Sequence, residues 1–324
     1  MSLLSTILDL RKIWQSPIWK ISAVIVCLFA INSSPAKVTD SASLDASTTA
    51  GRNLAISRGR LIWYDEFDKP LDITTSRHVG KWRANDNPNQ LDVGYKDYSG
   101  ESWNINPTQH PLHSPFKIAN GVLTISLART PKEIQKDIER SVGVGKVPEW
   151  SGGILISEPR LQSFRYGYFE FRARWPCPGN GMFPAMWLYV ADGRNLPEPK
   201  KSGAEIDLFE IFGSNTGQPW DATVHRRDWQ GAGEMTHVGS FMLDTKSWHV
   251  YGLDWQPDRI KFYRDGILVG EVKGENATWF DVDMSIRMNF TVNGKYLAQL
   301  GRLTDQTTPN VMTMEVDYVR VYEH

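Results

Sequence analysis

The sequence predicts an all-β protein, one antiparallel sandwich of two large sheets, and three observations carry that prediction. Short runs rich in β-branched and aromatic residues recur along the chain, bounded by Gly, Pro, Asn or Asp. One of them, "YGYFEFRARW" (166–175), alternates Phe169, Phe171, Ala173 and Trp175 with Glu170, Arg172 and Arg174. That period of two gives a strand one core face and one polar face. A third run, "RIKFYRDGILVGEV", turns at Asp265-Gly266, a dipeptide favoured in tight hairpins. With 324 residues and 41% apolar content, the chain can bury a full core.

Taken in order, the N-terminus has the form of a leader. Arg11, Lys12 and Lys20 precede the apolar run Ile21 to Ile31, which is short for a bilayer span and matches the apolar region of a signal peptide. "SPA" then places the small residues Ser34 and Ala36 for cleavage after Ala36. The expected organisation is a signal peptide over 1–36, a flexible linker over 37–58 that is rich in Ser, Thr, Ala and Asp, and one domain over 59–324. An uncleaved membrane anchor is the competing reading of the first segment. Cleavage would remove Cys27 and leave Cys177 as the only thiol, so no intrachain disulfide would support the fold.

Loss of the leader would also take the formal net charge from −1 to −3, since it carries three basic residues and Asp9. Neither value indicates a nucleic-acid partner. The expected product is a secreted monomer, periplasmic or extracellular, without stable membrane association once the leader is gone.

From "GRLIWYDEFD" onward the pattern is one of strands: 121–128, 152–157, 166–175, 183–190, 249–255 and 311–322. One helix stands out between them. Thr130 as N-cap, Pro131 at the first position and Glu133 form a capping-box pattern, and Ile134 and Ile138 follow at i,i+4 spacing. The chain shows no internal repeat and no break after residue 60. Its 13 Trp, 11 Tyr and 13 Phe suit either a β-rich core or faces that stack on sugar rings.

Against this background the segment "GAEIDLFEIFG" (203–213) is anomalous. It is apolar and bounded by glycines, yet it carries Glu205, Asp207 and Glu210 within six residues. Buried carboxylates are costly unless paired or protonated. In a regular strand Glu205 and Asp207 share a face and Glu210 points to the other. One extra residue at Leu208 or Phe209, a β-bulge, returns Glu210 to the face of the other two. An edge strand with carboxylates exposed on both faces is the alternative, and it needs no bulge.

"EIDLFE" resembles the active-site strand of glycoside hydrolase family 16 in its bulged, laminarinase-like form. The resemblance covers most of residues 60 to 322: "WYDEFD", "SPFKIANGVLTISLA", "SFRYGYFEFRARWP", "GNGMFPAMWLY", "TVH" and "MEVDYVRVY" occur in the family's order. It implies a concanavalin-like β-jelly roll with a sugar-binding cleft across one sheet. It also implies Glu205 as nucleophile, Asp207 as the residue that orients and supports it, and Glu210 as acid/base. Such chemistry needs one ionised carboxylate and one that holds a proton, and crowding of like charges raises the proton affinity of at least one of them.

By the same resemblance His225 in "DATVHRRDW" supports the catalytic group and Trp187 lines the cleft, although Trp187 also fits a core position. Trp103, Trp150 and Trp220 lie in loop-like stretches and are expected to be stacking platforms. Asn289 and Asn293 in "MNFTVNGKY" occupy a substrate-binding segment of the family. Asp317 matches an aspartate that binds a structural calcium in many members, with backbone carbonyls such as that of Gly121 as further ligands; a solvated strand aspartate is the competing reading.

The chemistry itself requires no cofactor. No His/Cys spacing suggests zinc, and no glycine loop suggests a phosphate. The activity implied is that of a secreted endo-acting β-glycanase cleaving β-1,3 or mixed β-1,3/1,4 glucan with retention of configuration. Depolymerisation of a bacterial exopolysaccharide or a galactan is the first alternative, and a non-catalytic glucan-binding protein the second.

Overall fold

A computed structural model describes residues 58–97, 101–191, 201, 203–213, 219–228, 233–242, 244–292 and 294–324 of the chain, without the side chains of residues 219, 220, 240–242 and 296. The leader and almost all of the linker lie outside these residues.

Two layers contain all of the strands among the described residues, and every strand pairing but the parallel β4–β7 one is antiparallel. The first contains β1 (Leu61–Asp65), β3 (Tyr95–Lys96), β4 (Ser102–Asn104), β5 (Phe116–Ala119), β6 (Val122–Arg129), β8 (Gly167–Cys177), β13 (His249–Gln256), β14 (Arg259–Arg264), β15 (Ile267–Lys273) and β17 (Val311–Tyr322). The second contains β2 (Trp82–Arg83), β7 (Trp150–Ser157), β9 (Met182–Val190), β10 (Gly203–Ile211), β11 (Pro219–Arg227), β12 (Gly233–Met242) and β16 (Met284–Val292). Its order is β2-β7-β16-β9-β10-β11-β12, antiparallel throughout. Strand β7 also pairs with β4 and β6, which joins the two layers at one edge.

All six segments expected to be strands are strands, and the alternation in β8 places Phe169, Phe171, Ala173 and Trp175 in the core at 0% exposure. Asp265 and Gly266 both have positive φ, 51° and 78°, at the β14–β15 turn, the backbone of a tight hairpin whose twist matches its strands.

The core lies between the layers, and β10 supplies part of it. Ile206, Leu208 and Phe209 are buried, and the Phe209 ring meets Trp175 of β8 edge-on at 5.0 Å and Tyr251 of β13 at 4.6 Å. Burial of one such side chain contributes roughly 1.5–3 kcal/mol. The strand is therefore held by its apolar back while its other face is left for polar groups.

The helix α1 (Lys132–Val142) forms, with Ile134 and Ile138 buried as their spacing predicts. The capping box does not. Pro131 takes the N-cap position without a side-chain hydrogen bond, because the Thr130 hydroxyl donates instead to the carbonyl of Pro148 at 2.6 Å. The short helices α2 (Glu275–Thr278) and α3 (Lys295–Gln299) had no signature in the sequence. Among the described residues no helix is long and apolar enough to cross a membrane.

Candidate active site

The bulge is present, and Leu208 is the extra residue. Toward β9, Asp207 pairs with Trp187 and Phe209 with Met186. Toward β11, Asp207 pairs with Thr223 and Glu210 with Asp221, so three residues of β10 span two of its neighbour. Glu205, Asp207 and Glu210 consequently share one face, and all three line a cleft of about 500 Å³. Leu208 and Phe209 both turn into the core.

The rest of the cleft follows from the period of two on each neighbouring strand. Strand β11 contributes Asp221, Thr223, His225 and Arg227; β9 contributes Phe183, Ala185, Trp187 and Tyr189; β16 contributes Arg287, Asn289 and Thr291. Gly203, at the start of β10, pairs with Arg227. A Cβ there would lie 2.9 Å from the Arg227 Cβ, so glycine allows that strand to approach. Gly213, which closes the segment, has φ +65°, a conformation that glycine adopts without strain.

The electrostatics separate the carboxyl groups. Asp207 is 1% exposed, and burial, followed by the charge of Glu205, raises its proton affinity well above the usual carboxylate range. A hydrogen bond with Glu205 acts in the same direction. Glu210 is raised as well, first by burial and then by Asp207, Glu205 and Asp221. Arg227 opposes both shifts.

His225 Nε2 lies 3.1 Å from Asp207 Oδ2 and 4.0 Å from Glu205 Oε1. The first contact lacks hydrogen-bond alignment, and Oδ2 is buried without a donor. Burial lowers the His225 pKa to about 4, against the pull of Glu205, so the ring is neutral near pH 7. Arg227 Nη2 donates to His225 Nδ1. A guanidinium can only donate, so Nδ1 carries the lone pair and the ring proton sits on Nε2, facing the carboxylates. Arg227 Nη1 is also 3.7 Å from Glu205 Oε2.

Trp187 borders the cleft beside Asp207, and its indole nitrogen donates to Asn289 Oδ1 at 2.7 Å. Arg287 lies over the rings of Trp187 and Tyr189 at 5.0 and 4.7 Å and is paired to Asp86 at 2.8 Å. Of the residues expected from the sequence, the cleft thus brings together Glu205, Asp207, Glu210, His225, Trp187 and Asn289.

Other expectations require correction. Trp103 is 4% exposed and packs on α1 through Ile134 and Ile138; Trp150 is 1% exposed in the main core, under Arg129 at 4.1 Å. Neither lines the cleft. Their stretches looked like loops because β4 pairs with β7, a partner 48 residues away along Ser102 to Trp150, and such distant pairing leaves no local pattern. The Trp220 side chain and Asn293 lie outside the described residues.

Asp317 does not fit a calcium ligand set. Its carboxylate accepts from Arg172 Nη1 at 2.6 Å, and Arg174 pairs with Glu315 two positions away on the same strand. A calcium ion would meet guanidinium charge there instead of the several convergent oxygens it needs. Among the described residues, the one group of side chains close enough to share a metal is Glu205, Asp207 and His225.

Arg227, Arg287, Asp86 and Asp221 were not singled out in the sequence. Two of them had a signal: Arg227 is two residues beyond His225 and Arg287 two before Asn289, so each shares a strand face with a residue already selected.

A family model described as "Glycosyl hydrolases family 16" matches residues 114–320. Among curated relatives, "Glucan endo-1,3-beta-glucosidase A1" of Niallia circulans is 28% identical over 300 residues, covering 86% of this chain and 40% of that protein. "Endo-1,3-1,4-beta-glycanase EglC" of Rhizobium meliloti (strain 1021) is 30% identical over 227 residues, 68% of this chain and 42% of that protein. "Beta-glucanase" of Rhodothermus marinus is 28% identical over 283 residues and covered to 84%. The chain thus spans less than half the length of the first two. A crystal structure of a mutant of SCLam, "a non-specific endo-beta-1,3(4)-glucanase from family GH16", superposes with a TM-score of 0.59 at 25% identity, covering 82% of this chain and 95% of that one.

Proposed function

The chain belongs to the glycosyl hydrolases of family 16, and on that premise we propose that it is an endo-acting β-glucan hydrolase. It cleaves internal β-1,3 or mixed β-1,3/1,4 linkages with retention of configuration. The observation that carries this reading is the single cleft face of β10, where a bulge aligns three carboxyl groups and the surroundings hold two of them toward the protonated state.

In the proposed reaction Glu205 attacks the anomeric carbon and forms a bond to it as the glycosidic C–O bond breaks, while Glu210 passes its proton to the leaving oxygen. Glu210, now a carboxylate, then takes a proton from the water that releases the sugar, which frees Glu205. Asp207 donates a hydrogen bond to the Glu205 carboxylate and orients it, and the Nε2–H of His225 faces the same pair. Trp187, fixed by Asn289, offers an aromatic surface for a sugar ring.

Cleft charge favours a neutral polymer. Six carboxyl groups, Asp86, Asp97, Glu205, Asp207, Glu210 and Asp221, line it against Arg227 and Arg287. Even with two of the six protonated, a sulfated galactan meets excess negative charge. The proposed setting is outside the cytoplasm, resting on the basic and apolar leader and the "SPA" sequence.

Incubation with laminarin, lichenan, agarose, carrageenan and bacterial exopolysaccharides, followed by product sizing, tests the reading. Internal cleavage of laminarin or lichenan is expected, and it should be lost in Glu205→Gln and Glu210→Gln while the fold and glucan binding persist. Undiminished turnover in either variant would point to a different site, and binding without turnover in the wild type to a glucan-binding protein.

A further inference from the structure

Glu210 and Asp221 are directly opposed across β10 and β11. Opposed residues of an antiparallel pair have Cβ atoms about 4.5–5.5 Å apart, and like charges in that position destabilise a sheet. The reaction described above makes no use of Asp221, yet its side chain lies in the cleft beside the acid/base. The arrangement needs an explanation other than sheet stability.

We propose that Asp221 is a positioning residue that keeps the proton on Glu210. The proposal rests on the acid/base role assigned to Glu210. Its surroundings are asymmetric. On the β9 side Glu210 pairs with Ala185, which carries no charge. Along β10 it faces Glu205 and Asp207, and from β11 it faces Asp221 and the more distant Arg227. Asp207, Glu205 and Asp221, in that order, each raise the proton affinity of Glu210; the first two lie on its own strand, and Asp221 is the one that acts from directly across the ladder.

His237 lies near Asp221 from β12. It pairs with Thr223, two positions along β11 from Asp221, which places it on the cleft face. Its Nε2 is 3.7 Å from Asp221 Oδ2. A histidine thus stands behind each half of the site, His225 by Asp207 and Glu205, and His237 by the carboxylate opposite Glu210.

Asp221→Asn keeps the shape and removes the charge. The basic limb of the kcat/KM profile on laminarin, where Glu210 loses its proton, should move to lower pH by roughly half to one unit. KM on the acidic side should be unchanged, and Asp221→Glu should restore the wild-type limb. Carbon NMR of the Glu210 side-chain carboxyl in the intact protein should show the same downward shift without any turnover, and so separates this proposal from the choice of substrate. A Glu210 titration identical in wild type and Asp221→Asn would overturn it, as would a loss of activity uniform across pH.

Discussion

Asp207 and Glu210 share the cleft face of β10 although they are three positions apart, because Leu208 occupies no place in the ladder on either side. An odd separation would otherwise set the two carboxyl groups on opposite faces. The bulge leaves the core intact, since Leu208 and Phe209 both point into it.

This geometry makes a prediction about chain length. Deletion of Leu208 leaves a regular strand in which Glu205, Asp207 and the former Glu210 still share a face. Activity on glucan should survive, with stability reduced by about 2–5 kcal/mol for the lost leucine. Insertion of an alanine between Asp207 and Leu208 drives the acid/base toward the core and should abolish turnover. An inactive but folded deletion variant, judged by denaturant titration, would count against the bulge as the device that aligns the site.

How much of this was legible in the sequence depends on distance along the chain. The odd acidic spacing, the alternation in β8 and the Asp265-Gly266 turn are local patterns, and each appears in the structure as expected. Trp103 and Trp150 were misassigned because only the distant β4–β7 pairing buries them. Thr130 matched a capping box by type, but a carbonyl 18 residues away takes its hydroxyl. Asp317 matched a calcium ligand by position, and Arg172, from another strand, claims its carboxylate.

Stability should carry the signature of the raised carboxyl groups. Folded Glu210 holds its proton at a pH where the unfolded chain has released it, so the native state binds more protons and stability falls as pH rises from the ordinary carboxyl range through the raised value. Glu210→Gln removes this penalty. The variant should melt above wild type at pH 7, by about 2–4 °C for each kcal/mol relieved, and the difference should fade toward about pH 4. Melting curves at the two pH values check this; a variant less stable at pH 7 would contradict it.

The Asp317–Arg172 pair bears on metal dependence. With a guanidinium already on the carboxylate, addition of a chelator should leave the melting temperature unchanged. Calcium restoring a melting temperature lost to chelation would indicate a metal site elsewhere in the fold, since ligand binding to the native state adds stability by mass action.

Arg227 should govern the tautomer of His225. In Arg227→Met the donor to Nδ1 is lost, and long-range nitrogen–proton NMR should show the ring shifting from pure Nε2–H toward a mixture of tautomers. Turnover should fall together with the Nε2–H fraction. An unchanged ring spectrum would assign the tautomer to the carboxylates alone.

The central claim is that Glu205 acts as a nucleophile and not as a base toward water. Retaining pairs of carboxyl groups stand about 5–5.5 Å apart and inverting pairs about 6.5–9.5 Å, and the two routes release opposite anomers. Proton NMR of the earliest products from laminarin or lichenan reads the outcome directly, before mutarotation mixes the forms. The β-anomer should appear first. An initial α-anomer would mean inversion, with Glu205 activating water and no covalent intermediate.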